Sequence, residues 1–192
     1  MTLLLPPFSF WLGLSYTDEM SPAHRRFLLL EEGVGSVVVN LIINSVIAFL
    51  TFRGAASVPL WGQQSIAGDT IGTTLILPLV TCLIVTPLAR RQVRSGRLAP
   101  LAGTPLGLQW MPARTLSRGA VLGAISAVVV APPALAVLTL LSITQQSFWG
   151  FVVFKAAFAA ALGAVVTPLI ALWAISGDDP AGAAVVVPSY RE

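Results

Sequence analysis

The first residue whose type suggests chemistry is Lys155, the one charged side chain between Arg118 and Asp178. This stretch is long enough to cross a bilayer twice, and ionisable residues at such depth are functional candidates by default. Lys155 lies about 12 Å along a helix from Ser147 at ~1.5 Å per residue, so its stem could snorkel to the nearer headgroups. If it faces inward instead, its predicted partner is Asp69, which is expected at the same membrane face on the second helix.

A second set of polar side chains recurs every four residues in the first apolar run. Ser36, Asn40 and Asn44 share one face of a helix at this spacing. An asparagine that faced lipid would leave its amide unpaired, which is costly, so this face must meet protein or water. It is either a set of interhelical contacts, at about 0.6 kcal/mol per hydrogen bond, or the polar wall of a pathway.

The second apolar run combines a small-residue step, threonines and a proline. Gly68 and Gly72 form a Gly-x-x-x-Gly step that permits close backbone approach. Asp69 between them is either an N-terminal cap and dipole partner or a contact for a cation or substrate. A proline in this helix leaves one carbonyl without its helical donor. The pathway candidates here, besides Asp69, are Thr74, Pro78 and Thr81.

Two successive prolines, Pro132 and Pro133, lie at the midpoint of the third predicted helix. They remove adjacent N–H donors and should break the helix. Counted from the helix ends, Asn44, Pro78 and this pair fall near the membrane midplane, where the broken helices of many transporters expose carbonyls to a substrate or ion. Prolines also occur in purely structural kinks, so the shared depth favours a pathway without requiring one.

The composition indicates a membrane protein. Of the 192 residues, 56% are hydrophobic and 10% charged, whereas soluble domains carry about 25% charged residues. Runs long enough for ~30 Å of hydrocarbon predict four transmembrane helices, at about 33–53, 69–90, 118–142 and 148–176. The net charge of +3 would suggest nucleic acid in a soluble protein. Here the arginines flank apolar spans, so nucleic-acid binding is not expected.

The basic residues are concentrated in one connection, residues 90–117, together with the residue that closes it. These positions hold six of the eleven basic side chains: Arg90, Arg91, Arg94, Arg97, Arg114 and Arg118. The positive-inside rule places this loop and both termini in the cytoplasm, and we expect its arginines to anchor it on anionic lipid headgroups. Residues 1–32 are predicted to form an interfacial segment, and 178–192 a short cytoplasmic tail.

Small residues predict tight helix contacts, within the chain or between chains. Gly119 and Gly123 open the third helix with a Gly-x-x-x-Gly step, and the fourth carries a stripe of small residues at Ala156, Ala160 and Ala164. Four helices make a thin bundle, so we expect a homo-oligomer or a complex with other membrane subunits. Val85-Thr86-Pro87-Leu88 recurs as Val166-Thr167-Pro168-Leu169, which is weak evidence of an internal duplication in so biased a composition.

No catalytic or metal-binding signature accompanies these features. The sequence contains no Gly-x-Ser-x-Gly, His-Glu-x-x-His, P-loop or dinucleotide glycine pattern. With one cysteine, Cys82, and one histidine, His24, the chain cannot form an internal disulfide, a bis-histidine haem site or a His-rich metal site. We expect no enzymatic activity, no cofactor and no metal.

The sequence therefore predicts an all-α polytopic membrane protein in the bacterial cytoplasmic (inner) membrane. Residues 33–177 would form a bundle of four transmembrane helices with N-in, C-in topology. The leading functional hypothesis is an oligomeric channel or transporter subunit for a small solute or ion. The polar face of the first helix and the proline breaks would line its route, with Asp69 and Lys155 near its outer mouth. The alternative is a non-catalytic accessory or scaffold subunit of a larger membrane complex.

Overall fold

Helices make up most of the computed structural model, which describes residues 22–99, 101 and 110–176. The helices are α1 (Pro22–Arg26), α2 (Gly35–Phe52), α3 (Ile66–Arg94), α4 (Thr115–Val129), α5 (Ala131–Leu140) and α6 (Phe148–Ser176). A π-helical segment, Phe27–Val34, joins α1 to α2, and two short strands, β1 (Ser57–Pro59) and β2 (Gln145–Ser147), lie in the connections. The first 21 residues of the predicted interfacial segment and the predicted tail lie outside the described residues.

Four helical stretches are long and apolar enough to cross a membrane, as the sequence predicts. We name them span 1 (His24–Phe52), span 2 (Ile66–Arg94), span 3 (Thr115–Leu140) and span 4 (Phe148–Ser176). The helix of span 1 begins well before the predicted residue 33. Glu31 and Glu32 end the apolar run, but glutamate is a good helix former, so these residues do not end the helix.

The spans pack in the order 1–4–2–3. Span 1 packs on span 4, span 4 on span 2, and span 2 on span 3, whereas spans 1 and 2 have no extensive contact with each other. Span 4 is the central helix. In its 18-residue apolar stretch 72% of the residues are buried, against 11% in the corresponding stretch of span 1. Its alanines and Gly163 suit this position because small residues let neighbouring helices approach closely.

The predicted small-residue contact at the start of span 3 is present within the chain. A Cβ added to Gly123 would lie 2.5 Å from the carbonyl oxygen of Leu75, and one added to Gly119 would lie 2.9 Å from the Cα of Leu79. No side chain fits at such distances. The Gly-x-x-x-Gly step of span 3 therefore packs directly on the backbone of span 2.

An antiparallel pair of strands joins the two short connections at one end of the molecule. β1, between spans 1 and 2, pairs with β2, between spans 3 and 4, so that Ser57 lies opposite Ser147. The Leu60 N–H extends this pairing by donating to the Thr144 carbonyl at 2.8 Å. We name this the hairpin end, and the opposite end, which holds the connection between spans 2 and 3, the arginine end.

The connection at the arginine end is attached to the helix ends. His24 Nε2 lies 2.8 Å from the Ala99 carbonyl oxygen, and the Leu101 N–H donates to the Ile175 carbonyl at 3.1 Å. Leu98 and Leu101 are buried. The apolar residues of this part of the connection therefore pack against the helices.

Candidate functional site

A groove lies between spans 1 and 2, because both pack on span 4 but not on each other. Its volume is about 570 Å³, within the usual range of ligand pockets. Span 1 lines it from Glu31 to Ile47, span 2 lines it from Asp69 to Val85, and two residues of span 4 form its floor. The span 1 side extends over about 24 Å at ~1.5 Å per residue. The groove is therefore comparable in length to the ~30 Å thickness of the hydrocarbon.

The polar face predicted on span 1 lines this groove, with Ser36, Asn40 and Asn44 all in its wall. Each of these side chains donates to a carbonyl of its own helix. Ser36 Oγ donates to Gly33 at 2.9 Å, Asn40 Nδ2 to Ser36 at 2.9 Å, and Asn44 Nδ2 to Asn40 at 3.0 Å. None of the three bonds to another helix within the described parts of the chain. This geometry favours the polar-wall interpretation over interhelical hydrogen bonding.

Glycines shape the groove on both sides. Gly163 of span 4 makes room for Asn40, since a Cβ on Gly163 would overlap the Asn40 side-chain amide. Gly35 and Gly72 line the groove, and a Cβ on either would meet no atom within 4 Å. The Gly68–Gly72 step therefore leaves open space at Gly72 and does not bring two helices of this chain together.

Lys155 of span 4 and Asp69 of span 2 form an ion pair towards the hairpin end of the groove, which is the partner that the sequence predicts for a lysine facing inward. The two side chains are 5% and 14% exposed. The alternative interpretation of Asp69 was a helix cap and dipole partner; the cap is wrong, whereas its place in the first turn of the helix agrees with a dipole partner. Ser65 caps the helix, because its Oγ accepts the Gly68 N–H at 3.2 Å. Asp69 lies in the first turn, where its carboxylate is available to Lys155.

The opposite end of the groove is acidic. Glu31 and Glu32 line it there, and no basic side chain of the described residues lines that end. The lining as a whole holds three carboxylates, those two and Asp69, against one ammonium, that of Lys155. The groove therefore has a negative balance of formal charge.

Thr167, on the floor of the groove, is a polar residue that sequence reasoning missed. Its side chain is buried, with 2% of the residue exposed, and its Oγ1 has no hydrogen-bond partner within residues 22–99, 101 and 110–176. An unsatisfied buried hydroxyl costs about 1–3 kcal/mol. A water or solute in the groove could satisfy it. The signal in the sequence was the repeated Val-Thr-Pro-Leu motif.

Of the remaining pathway candidates, one lines the groove and the others lie elsewhere in the bundle. Thr81 lines the groove. Thr74 and Pro78 are buried outside its lining, and Thr74 Oγ1 donates to the Ile71 carbonyl at 2.8 Å. Pro132 and Pro133 do interrupt span 3, but they are exposed on its surface and do not line the groove. Their predicted part in the same route is therefore not supported by their position.

Most of the predicted lipid-anchoring arginines are exposed at the arginine end: Arg91, Arg94, Arg97 and Arg114. Arg90 is half-buried and lies over the ring of Trp173. Arg118 departs from the prediction because it is fully buried and cannot reach a headgroup. Its Nη2 donates to the carbonyls of Pro112 and Ala113 at 2.9 and 2.8 Å. These hydrogen bonds attach the end of the connection to the first turn of span 3.

No cluster of three or more His, Cys, Asp or Glu side chains suited to a metal ion occurs within the described part of the chain. The single cysteine, Cys82, is a buried thiol. Comparisons with protein-family models, curated proteins and solved structures find no match to this chain.

Proposed function

We propose that this chain is a subunit of an oligomeric channel or small transporter, with the groove between spans 1 and 2 as its solute route. The observation that carries the proposal is the polar lining of an otherwise apolar groove. Asn40 and Asn44 present amides along one wall, and the floor holds the buried hydroxyl of Thr167, which has no hydrogen-bond partner in the described part of the chain. Among the described residues, the two amides donate to carbonyls of their own helix and to no other helix, and polar groups of this kind inside a membrane bundle commonly line a water-filled or solute-filled path.

The charge of the lining favours a cation over an anion. Glu31 and Glu32 lie at one end, and the one ammonium that the described residues place in the groove is paired with Asp69. Acidic groups at a mouth with low-dielectric walls raise the local concentration of cations. We therefore propose a small cation, a proton included, as the solute.

We propose an oligomer because the groove is open on one side. Spans 1 and 2 do not close over it, so in a single chain the half-buried Ser36 and Asn40 would face hydrocarbon, which is unfavourable, whereas Asn44 is already buried, with 7% of the residue exposed. A second copy or another subunit would supply the missing wall. With the N-in, C-in orientation expected from the arginines, the glutamates would lie at the cytoplasmic mouth and the Lys155–Asp69 pair at the outer one.

The test is water access to Asn44. In a Cys82→Ala background, we expect Asn44→Cys to react with a membrane-impermeant thiol reagent in lipid vesicles. The control is Val46→Cys, two residues away and therefore about 200° around the helix. Val46 is 52% exposed on the single chain and lies outside the groove, so its thiol should face lipid and stay unmodified.

The opposite result would favour the alternative function. Complete protection of the thiol at position 44 would contradict an aqueous route. If Asn44→Leu also removed a co-purifying membrane protein, the accessory-subunit interpretation would replace the transport proposal.

A further inference from the structure

A second cavity lies at the arginine end, between the last turns of span 2 and the first turn of span 3. Its volume is about 330 Å³, and its lining residues are Leu83, Thr86, Pro87, Arg90, Arg94 and Thr115. It shares no lining residue with the groove. The transport proposal gives this cavity no role.

The charged and dipolar groups around this cavity all favour an anion. Thr86, Arg90 and Arg94 follow one another at four-residue spacing, which places them on one face of the helix. No acidic side chain of the described residues lines the cavity. Thr115 begins α4, whose first N–H groups have no acceptor within the helix. None of the described side chains caps this helix start. Helix N-termini of this kind bind phosphate groups.

The hydroxyl of Thr86 is an independent indication of a ligand. The residue is 2% exposed, and its Oγ1 has no hydrogen-bond partner in the part of the chain that the structure describes. Thr86 occupies the same place in its Val-Thr-Pro-Leu motif as Thr167 does in the second one. Each cavity therefore contains one buried threonine hydroxyl that has no hydrogen-bond partner among the described residues.

We propose that this cavity binds one phosphate group, that of an anionic phospholipid headgroup. Arg90 and Arg94 supply positive charge, and Thr86 and the start of α4 supply hydrogen-bond donors. Leu83 and Pro87 lie deeper along the span than Arg90 and are exposed on the single chain, where the acyl chains of a bound lipid would begin. This is a defined site for one lipid, distinct from a diffuse attraction of the connection to the membrane surface.

The experiment measures lipid retention by the purified full-length chain in a phosphate-free maltoside detergent, using native mass spectrometry. The probes are dioleoyl phosphatidylglycerol and dioleoylglycerol, which lacks the phosphate. We expect one phosphatidylglycerol per chain and no retention of dioleoylglycerol. Thr86→Val and Arg90→Gln should each weaken binding about tenfold, since each removes a charge-assisted interaction with the phosphate.

Matched controls separate this site from the groove and from general charge. Thr167→Val removes the equivalent hydroxyl of the repeated motif, and Arg91→Gln removes a neighbouring exposed charge. Both should bind phosphatidylglycerol as the wild type does. Equal binding by Thr86→Val and Thr167→Val, with both variants folded by circular dichroism, would overturn the proposal, as would equal retention of the two lipids.

A competition with inorganic phosphate identifies the source of the phosphate group. If millimolar phosphate displaces phosphatidylglycerol from the wild type, the site recognises phosphate alone and could take it from solution. If it does not, the acyl chains contribute and the ligand is the lipid. Both outcomes support a phosphate site, and only the second supports a lipid as its natural occupant. Neither depends on the groove carrying a solute.

Discussion

At the scale of single residues, the ion pair of Lys155 and Asp69 gives the sharpest stability prediction. Removing one partner of a buried pair leaves an uncompensated charge and costs about 3–5 kcal/mol. We expect Lys155→Met to lower the free energy of unfolding by this order. The double variant Lys155→Met, Asp69→Leu should recover most of it, because neither charge then remains. Chemical unfolding of the purified protein in mild detergent measures both.

The control for this cycle is Arg91→Met, which removes an exposed charge and should change stability by less than about 0.5 kcal/mol. A Lys155→Met variant as stable as the wild type would show that the lysine snorkels to the headgroups in the membrane. The ion pair would then contribute nothing to the free energy of unfolding.

The same residue scale shows where sequence reasoning succeeds. Lys155 could be matched with Asp69 because counting along helices gives depth, and Asp69 is the one acidic side chain at that depth on a neighbouring span. Pro132 and Pro133 were placed at a suitable depth, yet they lie on the exposed side of span 3. Each residue turns a helix by about 100°, so depth alone does not give the direction in which a side chain points.

At the scale of helices, two glycines of similar sequence context should respond in opposite ways to alanine. Gly123→Ala places a Cβ against the Leu75 carbonyl of span 2, and backbone cannot move aside as a side chain can. We expect a loss of about 1–3 kcal/mol from overpacking. Gly72→Ala meets open space and should be neutral or stabilising by up to about 1 kcal/mol. Unfolding titrations of the two variants test this difference.

If Gly123→Ala were as stable as the wild type, spans 2 and 3 could not be in backbone contact at this point. A marked loss of stability in Gly72→Ala would instead mean that a second copy or another subunit packs against Gly72. That result would support the close helix packing that the sequence predicts for the Gly68–Gly72 step. Among the described residues of the single chain, no helix packs against Gly72.

The helices were predictable to the extent that the length and hydropathy of the apolar runs determine them. Four apolar runs of sufficient length predict four spans, and the fourth, at 148–176, agrees with the structure at both ends. The pairing of β1 with β2 was not predictable because each strand has three residues, too few for an alternating pattern. The packing order 1–4–2–3 was also not predictable. A helix that is apolar on every side does not indicate which of its faces packs against which neighbouring helix.

At the scale of the whole molecule, the packing order 1–4–2–3 leaves the groove between spans 1 and 2 open. Filling the groove with a side chain is the direct test of transport. Gly72→Leu projects a side chain into space that holds no atom within 4 Å of the new Cβ, so the fold should tolerate it. Gly68→Leu, one turn away, is the control because Gly68 is exposed and outside the groove. In proteoliposomes with a potassium gradient and a proton-sensitive dye, we expect the wild type and Gly68→Leu to conduct. Gly72→Leu should reduce the flux about tenfold, which needs only ~1.4 kcal/mol of added barrier.

The oligomeric state decides how this result is understood. Because a single chain leaves its polar wall open on one side, conduction requires a second wall, and light scattering in detergent should give a mass above that of one chain and its micelle. Conduction by a strict monomer would place the route elsewhere. An oligomer in which neither Gly72→Leu nor Asn44→Cys changes potassium or proton flux would mean that the groove is a contact surface. Its polar residues would then specify which subunits assemble.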